Sequence, residues 1–202
     1  SAVRDSALQA GIISSCLDLL RKNTERLESS LKDSPGQSIE AERFGHLIPR
    51  WVSPLLLLLE SYLKMLSNPR NSLDDIKSDA SSSDNRMLKV VEELRDPNMH
   101  LEVAKHAFSA LQLMCSVRVP EGKAAFDYMR HPSTYLRKEC AQACLQVIST
   151  VSRKHSIAAK LHKMGVLRTV LELPMECSFP AEDFLVFSIL RYIVEDPATL
   201  QA

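Results

Sequence analysis

Glycine and aromatic side chains are scarce in this chain of 202 residues, which has 5 glycines and only 5% Phe, Trp and Tyr together. A β-rich fold leans on glycine turns and on β-branched or aromatic strands, so that class is disfavoured. An excess of either charge is also missing, with 25 basic side chains against 25 acidic ones. No global field draws the chain to nucleic acid or to an anionic membrane, and neither is expected as a partner. The longest apolar run, Trp51 to Leu66, is interrupted by Glu60 and Lys64. It is too short and too charged for a bilayer span, which takes roughly 20 apolar residues. No signal-peptide pattern is read ahead of it. A phosphate-cradling glycine loop, a nucleophile elbow and a zinc-protease helix motif are all missing. Read along its length, the chain therefore offers nothing for catalysis, and no cofactor is expected.

What is present is helical pattern. Hydrophobic residues make up 45% of the chain, enough for a substantial core. Residues 2–31 read as two helices divided near Gly11, with Ile12, Cys16, Leu19 and Leu20 forming one apolar stripe. Turn formers fill 33–38, and a short helix is expected at 39–44. Ser53 and Pro54 read as an N-cap followed by proline at the first helical position. The five leucines 55–59, continued by Tyr62, Leu63 and Leu66, make a helix apolar on nearly every side. That helix is expected to be the most buried one, with Leu57 in the core. Residues 68–86, rich in Ser and Asp, read as a disordered insertion.

Helical pattern resumes at 87–94 and breaks at Asp96-Pro97. It returns from His100 to Val117 on a face of Leu101, Ala104, Phe108, Leu111 and Cys115. A short helix is expected at 123–129. A long one, Thr134 to Arg153, has Leu136, Cys140, Ala143, Val147 and Val151 on its core face. Helices over 156–164, 166–173 and 181–194 follow. The stretch from Met164 to Leu173 echoes the stretch from Ala10 to Leu19, each with glycine in second place followed by two aliphatics. A repeated motif in helical surroundings points to stacked helices. The expected fold is all-α, an armadillo/HEAT-like right-handed solenoid. Residues 1–67 and 87–202 form one array around the insertion at 68–86. Solenoids of this kind bind and scaffold. A segment of one exposes apolar ends, so marginal stability or self-association is expected. With Ser1 inside one helical pattern and Ala202 just past the start of another, the chain reads as a piece of something longer.

The cysteines number five, an odd count, and most sit in apolar helical contexts. Reduced, buried thiols are expected, with a cytoplasmic or nuclear location. Cys140 and Cys144 share a helix face at i, i+4. Zinc would need two further ligands, and no CxxC or HxxxH pair accompanies them, so core packing is the preferred reading. Cys177 lies in a loop with no base placed to activate it, and reads as a structural thiol. Trp51 reads as packed at a helix start rather than as a partner anchor. From Cys140 to Leu171 there is no acidic residue. Arg153, Lys154, Lys160, Lys163 and Arg168 in that stretch, with His155 and His162 nearby, are the candidate partner-binding basic patch. A solvated helix face is the preferred alternative, because no aromatics are interleaved for base stacking.

Four segments in order then become recognisable: Val151 to Ala159, Met164 to Leu167, Leu171 to Pro174, and Ile189 to Gln201. With Val3 to Ile13 and Ile48 to Val52 near the other end, they resemble the helical region of giant HECT ubiquitin ligases, of the plant UPL and animal Mule types. The tail segment is the most specific, and residues 68–135 take no part. The resemblance implies armadillo-like repeats in a parent ligase. Such a parent passes ubiquitin from an E2 to a cysteine of its own HECT domain and then to a substrate lysine. None of the five cysteines here matches that one. The resemblance thus implies a non-catalytic scaffold or substrate-recognition segment. Its partners would be protein substrates and other parts of the parent, with ubiquitin and the E2 engaged elsewhere. The rival reading is a stand-alone helical-repeat adaptor. The single Trp and the scattered asparagines disfavour it, because peptide-binding armadillo grooves use a ladder of both.

Overall fold

A computed structural model of the chain describes residues 2–33, 47–67, 96–117 and 132–195. Among these the structure is all helical, with no strand. The elements are α1 (Ala2–Asp33), α2 (Val52–Ser67), α3 (Pro97–Cys115), α4 (Pro132–Ser152), α5 (His155–Lys163) and α6 (Val166–Leu171). A 3-10 turn (Met175–Cys177) and α7 (Glu182–Val194) complete them. The expected helices at 39–44, 87–94 and 123–129, the insertion at 68–86 and the tail segment beyond Glu195 lie outside the described residues. No helix among the described residues is long and apolar enough to cross a membrane.

Side-chain contacts give the helix directions. Arg21 of α1 meets Glu102 of α3, and three residues on, Thr24 meets His106. Both pairs advance together, so α1 and α3 run parallel, side by side. Arg137 near the start of α4 reaches Met114 at the end of α3, while Lys154, just past α4, reaches His100 at the start of α3. α3 and α4 are therefore antiparallel. Their pairing is the most extensive in the structure, and α2 packs chiefly on α4.

The start of α3 is written in its sequence. The Asp96 carboxylate accepts from the Asn98 N–H at 2.9 Å, and Pro97 fills the first helical position, where no N–H is needed. Asp96-Pro97 is thus a helix start. α2 begins at Val52, earlier than the Ser53 cap expected from sequence. Pro54 still falls in the first turn, whose N–H groups have no acceptor within the helix.

Several expectations are corrected. α1 is continuous through Gly11, without the division expected there. A helix-interior glycine costs only about 1 kcal/mol relative to alanine, less than the contacts of a long helix return. Gly165 behaves differently from its echo. It adopts φ +84°, its N–H donates to the His162 carbonyl at 2.9 Å, and it separates α5 from α6. Glycine permits the left-handed conformation without requiring it, so the shared motif does not carry a shared backbone. On α1 the buried face is Cys16, Leu17, Leu20, Asn23 and Leu27, and Leu19 is exposed.

The leucine-rich helix is not the most buried one. In α2, Val52, Leu56, Leu59 and Leu63 form one fully buried seam, whereas Leu57 and Leu58 are each 39% exposed. The central helix is α4, which packs against α2, α3, α5, α7 and the 3-10 turn. Its run Cys140, Ala141, Ala143 and Cys144 is buried throughout. Small side chains let several helices approach one axis closely, which bulky leucines would not allow. The core face expected for α4 is otherwise present, with Cys140, Ala143, Val147 and Val151 buried and Leu136 partly so. Glu60 of α2 is also buried. It accepts from Thr150 Oγ1 at 2.7 Å and pairs with the Lys64 ammonium, so its charge is compensated.

Leu56→Asp places a charge with no partner in the α2 seam and is expected to abolish cooperative unfolding, whereas Leu57→Asp is expected to keep the native far-UV spectrum and melt. Circular dichroism on both variants checks this, and equal damage from the two would refute the orientation of α2. A second pair tests the backbone. Ala181 holds φ 70° just before α7, a conformation that costs a non-glycine residue about 1–2 kcal/mol. Ala181→Gly is expected to stabilise by up to ~1 kcal/mol after the glycine's larger unfolded-state entropy is counted. Gly165→Ala is expected to destabilise by ~1 kcal/mol from strain alone. A Cβ there would meet no heavy atom within 4 Å. Urea titrations read both.

Candidate functional site

The expected basic segment spans the end of α4, α5 and α6. α5 opens at Lys154, whose backbone is extended and whose side chain does not cap the helix. The Lys154 ammonium instead lies 3.3 Å from His100 Nε2, and partial burial lowers its pKa. Arg153 is exposed, with its guanidinium 6.0 Å from the centre of the Tyr192 ring on α7. Arg168 donates to Glu172 at 2.8 Å, and that hydrogen bond raises its pKa. Lys160 and Lys163 are exposed, and no ion pair to either is found among the described residues. Three of the five cations are thus engaged within the chain. The acid-free stretch is answered by Glu172, one residue beyond it.

Four of the five cysteines gather where α3, α4, α6 and the 3-10 turn meet. The Cys140 and Cys144 sulfurs are 3.9 Å apart, both buried. Cys177, in the turn Met175–Cys177, is fully buried beside them, a packed thiol rather than a half-exposed one. Cys115 points its thiol at the Thr169 and Glu172 carbonyls, each at 3.7 Å. Burial pushes Cys177 up to about 11 against the opposing charge of Arg137. Burial, reinforced by Glu172, does the same to Cys115, also to about 11. Cys144 is raised well above the usual thiol value, again chiefly by burial. The thiolate is both the nucleophile and the metal ligand, and these groups are held as thiols. Among the described residues no three His, Cys, Asp or Glu side chains are grouped to hold a metal ion.

Arg137 was not singled out from the sequence. It is fully buried on α4, and its Nη2 donates to the Met114 carbonyl at 3.1 Å. The available signal was its spacing. Residues 137, 141, 144 and 148 recur at i, i+4, i+7 and i+11, which places Arg137 on an inward stripe.

The described residues also form a cleft of about 290 Å³ between the parallel helices α1 and α3. Its floor is Leu17, Leu20, Met99 and Val103. Arg21, Glu25 and Glu28 line it from α1, and Glu102 and Lys105 from α3. Arg21 bridges the two walls, donating to Glu102 at 3.0 Å and to Asp18 at 3.3 Å. Thr24, also in the lining and half-buried, leads to the buried His106. Its hydroxyl donates to the Leu20 carbonyl at 2.9 Å and lies 2.7 Å from His106 Nδ1. The single hydroxyl proton is used on Leu20, so His106 Nδ1 is the donor to Thr24. That leaves His106 Nε2 a bare lone pair, buried and without a partner among the described residues. Burial lowers the His106 pKa to about 4, and the Leu20 carbonyl only partly opposes this. Neither the cleft nor the histidine was legible in the sequence, because both need α1 and α3 side by side.

No family model matches the chain, and no solved structure matches it. Over 60 residues it is 38% identical to E3 ubiquitin-protein ligase UPL1 of Arabidopsis thaliana, and equally to E3 ubiquitin-protein ligase UPL2 of the same plant. Each match covers 30% of this chain and 2% of the relative's length. This is a distant relation to that ligase family, carried by a small part of very long proteins.

The buried histidine contributes a pH-dependent share of the stability. His106 titrates near 6.5 when unfolded and near 4 when folded. Between those values the unfolded chain binds the extra proton, so the stability His106 contributes is full above pH 6.5 and is lost as pH falls toward 4. At ~1.4 kcal/mol per pKa unit the loss is roughly 3 kcal/mol. Denaturant titrations across that range are expected to show the slope, and His106→Leu to flatten it. An unchanged slope in the variant would count against the assignment.

Proposed function

We propose that this chain is a non-catalytic, armadillo-like scaffold segment of a HECT-type E3 ubiquitin ligase. The similarity to UPL1 and UPL2 is the observation that carries the reading. Three features agree with it. The parallel α1 and α3, with α4 antiparallel to α3, match the way equivalent helices of successive layers lie in a helical solenoid. Phe184 and Phe187 on the outer face of α7 are 72% and 69% exposed, as at a layer edge where a further layer stacks. Burial raises the pKa of Cys115, Cys144 and Cys177, which suits structural cysteines in such a segment.

In this reading residues 1–67 and 87–202 belong to one array, and the segment sets spacing and presents surfaces to protein partners. Ubiquitin, the E2 and the transfer cysteine belong to other parts of the parent, in the cytoplasm or nucleus. A stand-alone helical adaptor is the alternative, and it shares the scaffold role without the ligase.

The chain, mixed with E1, ubiquitin and a panel of E2 enzymes, is expected to form no thiol-sensitive ubiquitin adduct on any cysteine. An adduct on gels run without reductant would overturn the non-catalytic reading. The coding sequence of the parent is expected to include a HECT domain downstream. If it does not, the ligase reading fails and the adaptor takes its place.

A further inference from the structure

We infer that α7 is a homodimer interface, whose outer face receives α7 of a second copy of this chain, antiparallel, about a two-fold axis. The inference is independent of the ligase reading.

The face is apolar and open. Of the ten large hydrophobics exposed among the described residues, five lie from Leu171 to Val194, so this end of the molecule is the one left uncovered. Three of them are on α7, namely Phe184 at 72%, Phe187 at 69% and Val194 at 46% exposure. With the exposed Arg191 they follow one another at steps of 3, 4 and 3 residues, the a and d pattern of a coiled-coil seam. At 3.6 residues per turn all four fall within ~80° of the helix surface. Ile189 and Ile193, the buried pair, lie on the opposite side and hold α7 against the core. The helix is therefore presented ready-formed, and docking costs it little further order.

Charge and size select the occupant. In a parallel pair of α7 helices equal positions meet, and Arg191 faces the partner's Arg191, a like-charge layer. In an antiparallel pair a positions meet d positions. Phe184 then packs on the partner's Val194, and Arg191 stacks on the ring of the partner's Phe187, each contact occurring twice by symmetry. A large ring meets a smaller side chain in the end layers and a cation in the central ones, so the face is complementary to itself. Arg191 keeps its hydrogen bond to Glu195 at 2.8 Å, which compensates its charge beside the interface. The chain has 25 basic and 25 acidic side chains, so two copies approach without long-range repulsion.

The area sets the strength. An aromatic side chain presents ~200 Å² in full, so the two rings offer roughly 280 Å². With Arg191 and Val194 the seam amounts to roughly 500 Å² per copy, or ~1,000 Å² for the pair, the low end of specific interfaces. A Kd of about 10–100 µM is expected.

Sedimentation equilibrium of the whole chain from ~5 to ~500 µM tests this. The average mass is expected to rise from the 22.7 kDa monomer toward twice that value. Phe187→Glu alters a surface position and is expected to keep the wild-type melt by circular dichroism while weakening dimerisation at least about tenfold. Phe184→Lys and Val194→Glu are each expected to weaken it severalfold. An equimolar mixture of those two variants is expected to associate more tightly than either alone, because the antiparallel register brings the substituted positions together with opposite charges. A chain that is monomeric at every concentration overturns the inference and leaves the face to a further layer of a parent. Undiminished dimerisation of folded Phe187→Glu places the interface elsewhere and overturns it as well. A mixture no tighter than its components overturns the antiparallel register. If Phe187→Glu does not fold, the two end variants carry the same test. Absence of a HECT domain in the parent removes the ligase reading and leaves the dimer standing.

Discussion

The guanidinium of Arg137, fully buried on α4, donates to the Met114 carbonyl at 3.1 Å. The last carbonyls of a helix have no partner within it and carry the negative end of its dipole. The Met114 carbonyl also accepts the Val117 N–H at 3.3 Å, and the buried cation adds a charged donor to it where the dipole favours positive charge. It also fixes the end of α3 against the start of α4. At the other end of the same pair, Lys154 reaches His100. Between these two polar ties the small residues of α4 allow close approach, and α2, α3 and α7 all pack onto that one helix. The rest of the structure is arranged around this antiparallel pair.

The same environment decides what the cysteines do. A cluster of thiols next to an arginine is a familiar recipe for reactivity, since positive charge favours thiolate. Here Arg137 does pull the Cys115 and Cys177 values down, but burial outweighs it and both stand at about 11. Desolvation wins because these sulfurs sit in a low-dielectric core, where the charged form is costly. They therefore serve as small apolar side chains.

Much of the helix content was legible from sequence. The α4 stripe Cys140, Ala143, Val147 and Val151 is buried as its spacing requires. Asp96 with Pro97, and Gly165 with its positive φ, mark boundaries by local chemistry. The errors share one cause. Leu57 and Leu19 are as apolar as their buried neighbours, yet both are exposed, because apolarity does not say which side receives a partner. Gly11 and Gly165 sit in like sequence with different backbones, because glycine allows a break that only the surroundings enforce. Of the basic segment, sequence supplied the cations but not Glu172, Tyr192 or His100, which engage three of them.

The sequence by itself determined that the chain is helical, where several helices begin and break, and that it bears a local likeness to very long ubiquitin ligases. These depend on periodicity, caps and short motifs, which act over a few residues. Only the tertiary structure decided that α4 rather than the leucine-rich helix is central. It also decided that Arg137 and His106 are buried and that α1 and α3 enclose a cleft with acidic walls. Those features join residues some 20 to more than 80 positions apart, and burial, desolvation and charge pairing across such distances exist only once the helices have packed.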